Sequence, residues 1–103
     1  MPEEQTTALP AAFSLAQNYP NPFNSETVIT FELPEQGEVE LAVYNLAGQR
    51  AATLAEGRRE AGAYAVRWDG RDDPEHELAS GVFLYRLQAG PRQVETRKLL
   101  LLR

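Results

Sequence analysis

The chain has 103 residues, no cysteine and a formal net charge of −5, set by fifteen acidic and ten basic side chains. One domain is the natural count at this length, large enough for a core but of modest stability. The composition excludes disulfides, thiolate chemistry and cysteine-ligated metal. Its acidity argues against a nucleic-acid backbone or an anionic membrane surface as the main partner. No apolar run approaches the roughly 20 residues that span a bilayer. The opening stretch "MPEEQTTALPAAF" is acidic and lacks the apolar centre of a secretory signal. Either the protein is cytosolic or it is a module of a longer exported chain; residues 1–12 read as a linker from an upstream parent to a C-terminal domain over 13–103, which suggests the second.

The domain begins with "FSLAQ" near residue 14, a candidate edge strand. In "QNYPNPFN" (17–24), Pro20 and Pro22 forbid a helix or a central strand. Asn18, Asn21 and Asn24 there suit turns closed by local side-chain bonds. From this point the apolar residues recur with period two. "ETVITFEL" sets Ile29, Phe31 and Leu33 on one face. After a turn from Pro34 to Gly37, "EVELAVYN" sets Val39, Leu41 and Val43 inward. "LAGQ" turns, with Gly48 free to take positive φ. "RAATLAE" is a weaker strand, and "GRREAG" (57–62) reads as a charged loop. "AYAVRWD" turns Tyr64, Val66 and Trp68 to one side. A long polar loop, "GRDDPEHELAS" (70–80), precedes "GVFLYRLQA", with Phe83, Tyr85, Leu87 and Ala89 inward. "GPR" turns into the last strand, "QVETRKLLLLR". Six strands, or seven with the first, separated by turns at this spacing predict an all-β, antiparallel, immunoglobulin-like β-sandwich.

Catalytic chemistry is poorly supplied. His76 is the single histidine, with no spaced second histidine to share a metal, so a solvated loop residue is expected. Ser25 and Ser80 adjoin turn residues, and neither sits in a G-x-S-x-G elbow. Asp69, Asp72, Asp73, Glu75 and Glu77 are oxygen donors of the kind calcium takes, but their spacing is not that of a D-x-[DN]-x-[DN]-G loop. No cofactor is expected, and an enzyme is the weakest class for want of a nucleophile–base pair. An aromatic sugar platform, as in a carbohydrate-binding module, has one exposed candidate, Tyr44; Tyr64, Trp68 and Tyr85 alternate with polar residues as core residues do.

The end of the chain stands out. "RKLLLLR" places Leu99 and Leu101 on one face of a strand and Leu100 and Leu102 on the other. Either the strand is buried on both sides, or one leucine row packs while the other is presented to a partner. Arg97, Lys98 and Arg103 flank it with charge that discourages random pairing. Such a strand suits edge addition by a receptor, and an exposed edge also implies weak dimers at high concentration.

Three stretches together resemble one family: "LAQNYPNPFNSETVITFELP" (15–34), "VELAVYNLAGQRAATLAEG" (39–57) and "WDGRDD…LASGVFLYRLQAG…TRKLLLLR" (68–103). They resemble the C-terminal sorting domain, type A, of the type IX secretion system. The central stretch is also shared with the immunoglobulin-like domain of flagellar hook-capping proteins. Ser25 stands where proline is usual, Ala47 where leucine is frequent and Phe83 where tyrosine is frequent.

The resemblance implies a non-catalytic module that directs a secreted enzyme or adhesin through the outer membrane and mediates its attachment to the cell surface. The parent would cross the periplasm in transit and end outside the cell. The implied partners are the outer-membrane export machinery and a surface transpeptidase, with cleavage in the linker 1–12. By position, Gly81 and Tyr85 match the family's glycine and aromatic motif, and Lys98, Leu99, Leu100, Leu101, Leu102 and Arg103 match its terminal signal.

Overall fold

The computed structural model describes residues 10–103; most of the expected linker, residues 1–9, lies outside the described residues. Seven strands follow in chain order: β1 (Ser14–Leu15), β2 (Thr27–Leu33), β3 (Gly37–Tyr44), β4 (Arg50–Arg59), β5 (Gly62–Trp68), β6 (Gly81–Ala89) and β7 (Gln93–Leu101). They form a three-stranded sheet, β1-β2-β5, and a four-stranded sheet, β4-β3-β6-β7. Every strand pairing is antiparallel. The fold is the all-β immunoglobulin-like sandwich that the alternating pattern predicts.

The two inner faces supply the core, because each strand turns every second side chain inward. Ile29, Phe31 and Leu33 come from β2, Val39, Leu41 and Val43 from β3, and Tyr85 and Leu87 from β6; all are buried. Trp68 closes one end of the core, its ring centroid 5.7 Å from that of Phe23 and 6.1 Å from that of Phe83. Its indole N–H donates to the Arg71 carbonyl at 2.9 Å, which satisfies the one polar atom that burial would strand. Tyr64, near the opposite end of β5, is only half-buried and stacks on Phe31 at 5.2 Å.

Two connections differ from the expectation. The charged stretch 57–62 is not a loop. β4 runs on to Arg59 because Gly57, Arg58 and Arg59 find partners in Val39, Glu38 and Gly37, leaving Glu60 and Ala61 as a tight crossing between the sheets. Gly57 adopts φ 110° within that strand, a conformation open to glycine and strained for other residues. The other difference is in 17–24, where the asparagines do not close merely local turns.

Candidate functional site at the last strand

The period of two resolves the terminal leucines. Leu99 and Leu101 lie in the core, while Leu100 is half-buried and Leu102 is 47% exposed. Tyr85, opposite Arg97 on the neighbouring strand, is fully buried. Gly81 lies opposite Leu101 and is half-buried. The residues singled out in the sequence are therefore brought together on adjacent strands. Burial nevertheless puts Tyr85, Leu99 and Leu101 out of reach of any partner of the folded domain; Lys98, Leu102 and Arg103 are the exposed members of the group.

The expectation of an open terminal edge also needs correction. Residues 17–23 cross the outer edge of β7 and occupy its main-chain groups. The Phe23 N–H donates to the Leu100 carbonyl at 3.1 Å, and the Leu102 N–H donates to the Phe23 carbonyl at 2.8 Å. The Leu100 N–H donates to Asn21 Oδ1 at 2.9 Å, and Gln17 Nε2 donates to the Lys98 carbonyl at 2.7 Å. The Phe23 ring is buried beside Trp68, which pins this short parallel bridge to the core. Asn21 thus serves a strand 79 residues away, not its own turn.

Tyr85 ties the same segment from beneath. Its hydroxyl donates to the Ala16 carbonyl at 2.7 Å and accepts the Asn18 N–H at 2.8 Å. Burial pushes the phenol pKa above its usual value, against the opposing effects of the Asn18 N–H and the Arg97 charge. Asn18 is itself buried and donates through Nδ2 to Thr27 Oγ1 and to the Pro20 carbonyl. Arg97 Nε donates to the Leu15 carbonyl at 2.6 Å.

Arg103 closes the opposite side. Its main-chain N–H donates to Ser80 Oγ at 2.7 Å. The guanidinium donates to the carbonyls of Leu78 at 2.7 Å, Gly70 at 2.6 Å, Asp69 at 3.4 Å and Asn24 at 3.5 Å. One planar fork with several fixed N–H vectors suits such a ring of carbonyls, which a lysine would serve less completely. The last strand with Arg103, the "NPFN" segment and the "WDG" turn thus form one hydrogen-bonded unit. Phe23, Asn21, Gly70 and Ser80 were missed as members of it, because the sequence shows their turn-forming character and not the strand they cover.

The remaining polar candidates do not converge on a reaction centre. His76 Nδ1 lies 3.6 Å from Asp72 on an exposed loop. Arg71 lies 3.8–3.9 Å from carboxylates of Asp69, Glu75 and Glu77, so a cation already stands among the acids considered for calcium. Among the described residues no group of three or more acidic or histidine side chains is placed to hold a metal ion. Tyr44 is half-buried on the outer face of the four-stranded sheet, with Arg86 5.0 Å and Arg50 5.8 Å from its ring centroid.

The model of the FlgD Ig-like domain matches residues 17–92, most of the chain. The chain belongs to the FlgD Ig-like domain family. The match spans the strands from β2 to β6 and includes the "NYPNPFN" cover, but it ends before β7. Among solved structures, the Ig-like domain resembles part of dimeric latent PorU from Porphyromonas gingivalis, with a TM-score of 0.70 and 15% identity over 89% of this chain. It also resembles part of PorZ from the same organism, described as an essential surface component of the type IX secretion system, with a TM-score of 0.57 and 17% identity over 88% of this chain. FlgD from P. aeruginosa matches with a TM-score of 0.56 and 22% identity over 73% of this chain and 57% of that one. At these identities the likeness is one of fold. The chain spans 10% of the PorU chain and 11% of the PorZ chain. No match is found among curated proteins.

Proposed function

We propose that this domain is a non-catalytic C-terminal sorting module of the type IX secretion system, type A. It directs a secreted enzyme or adhesin through the outer membrane and mediates attachment to the cell surface. The observation that carries the reading is the convergence of three motif stretches on the last strand. "NYPNPFN" covers its edge, "WDG" receives Arg103, and Tyr85 in "GVFLYRL" anchors the cover. Residues 98–103 acquire their shape only when the rest of the sandwich has folded. A receptor that reads this end therefore reads a finished domain, with Lys98 and Leu102 as exposed side chains beside an exposed Arg103 that is hydrogen-bonded to the fold. The fold shared with PorU and PorZ supports the same assignment. The partners proposed are the export machinery and a surface transpeptidase, with the parent crossing the periplasm to the outer surface. The FlgD family match favours one second reading, a structural role in an appendage. A sugar platform is disfavoured because Trp68, Phe23 and Tyr85 are core residues.

The test is export of a fluorescent reporter carrying a signal peptide and this module, in a bacterium with the type IX machinery. Deleting residues 99–103 would remove Leu99 and Leu101 from the core and confound the result. The decisive variant is K98A/L102A, which alters exposed positions only. Surface delivery of the unaltered module and periplasmic retention of a folded K98A/L102A variant are expected. Retention of both reporters in the periplasm would overturn the sorting reading.

A further inference from the structure

β7 is an edge strand whose cover stops short. The outward main-chain groups of this strand belong to its even-numbered residues, as the bonds at Lys98, Leu100 and Leu102 show. Residues 17–23 occupy those from the Lys98 carbonyl onward. Towards the start of the strand, the outward groups of Val94 and Thr96 have no hydrogen-bond partner among the described residues. Val94 is 49% exposed, and Glu95, Thr96, Arg97 and Lys98 are exposed as well. Unpaired strand groups of this kind are a template for another strand.

The order of side chains says which strand fits. We propose that this edge pairs with the same edge of a second copy of the chain, antiparallel and two-fold symmetric about Thr96. In that register Thr96 lies opposite Thr96 of the partner subunit, and the pair exchanges both main-chain bonds. Glu95 lies opposite Arg97 of the partner subunit, and by symmetry Arg97 opposite Glu95 of the partner subunit. Val94 lies opposite Lys98 of the partner subunit, whose N–H reaches the Val94 carbonyl; the Lys98 carbonyl, although bonded to Gln17, keeps a second lone pair. The alternatives are selected against. A two-fold axis at Glu95 sets two carboxylates face to face, and one at Arg97 sets two guanidiniums face to face. Directly opposed like charges destabilise a strand pair, whereas opposite charges stabilise it. The paired segment ends where Asn21 and Phe23 begin, so cover and partner meet at one shared group, the Lys98 carbonyl.

The absence of cysteine makes cross-linking a direct test of register. Single-cysteine variants T96C, V94C and K98C of the whole chain are oxidised at matched concentration. Residues directly opposed in a hydrogen-bonded pair lie about 5.5 Å apart at Cα, within disulfide reach. T96C is expected to cross-link to a dimer, V94C and K98C each to stay monomeric, and a mixture of V94C with K98C to cross-link. Sedimentation equilibrium supplies a second readout without cysteine. E95R is expected to weaken the dimer about tenfold, and E95R/R97E to restore it, because opposed pairs of opposite sign return. A chain that stays monomeric up to millimolar concentration overturns the proposal. So does cross-linking of V94C alone as readily as T96C, or a charge-reversed double variant no tighter than E95R.

Discussion

The guanidinium of Arg103 occupies the space that a side chain on Gly70 would need. Arg103 Nη2 donates to the Gly70 carbonyl at 2.6 Å, and a Cβ built on Gly70 would stand 2.6 Å from the same nitrogen and 3.3 Å from Leu101 Cδ1. Gly70 also adopts φ 76°, where a side chain is strained even in open space. The glycine of "WDG" and the last arginine are thus two halves of one contact.

Gly70→Ala is expected to destabilise the domain by about 1–3 kcal/mol, from backbone strain together with displacement of the arginine. Arg103→Ala is expected to cost less, because its carbonyl partners regain water. Urea denaturation of both variants and of G70A/R103A checks the link. The double variant should cost less than the two single effects added, since the clash disappears with the guanidinium.

Trp68 is 3% exposed between Phe23 and Phe83. Trp68→Ala is expected to destabilise by about 3–5 kcal/mol. A change in unfolding free energy of less than about 0.5 kcal/mol by urea denaturation, the range typical of surface positions, would contradict its place in the core.

The terminal leucines should separate cleanly by position. Leu101→Ala removes a fully buried side chain and is expected to cost about 2–5 kcal/mol. Leu102→Ala alters an exposed one and should stay within about 0.5 kcal/mol. Thermal melts of the two variants, made side by side, measure the contrast.

Tyr85 links stability to alkaline pH. Burial raises its pKa in the folded state above the ordinary value of about 10. The neutral phenol is therefore favoured by folding. Its contribution is complete below the unfolded-state pKa and is lost as pH rises from there through the folded-state value. Stability of the unaltered domain is expected to fall in that window. Tyr85→Phe should lower stability at neutral pH by about 1–3 kcal/mol, because Asn18 N–H and the Ala16 carbonyl lose a buried partner, and should flatten the alkaline fall. Unfolding curves at neutral pH and above pH ~10 distinguish the two effects.

Strand positions and most of the core were legible in the residue order. Alternation at period two names Ile29, Phe31, Val39, Leu41, Tyr85 and Leu87 as inward without any coordinates, because a pleated strand leaves a side chain only two faces. The turn at Gly48 was legible for an equally local reason: Asn45 Oδ1 accepts the N–H groups of Ala47 and Gln49 within the same few residues. What the order of residues could not decide was where non-neighbouring main-chain groups find partners. "GRREAG" carries loop chemistry, yet 57–59 is strand because β3 lies alongside. Asn21 carries turn chemistry, yet its side-chain Oδ1 accepts from the Leu100 N–H. Four leucines in a row have equal hydropathy. The sandwich alone determines that Leu99 and Leu101 meet the core, that Leu100 lies beside Phe23, and that Leu102 faces solvent. Local rules act through covalent neighbours and are written in the sequence. Hydrogen-bond satisfaction acts through space, and only the packed sheets set which edge is closed and which is left open.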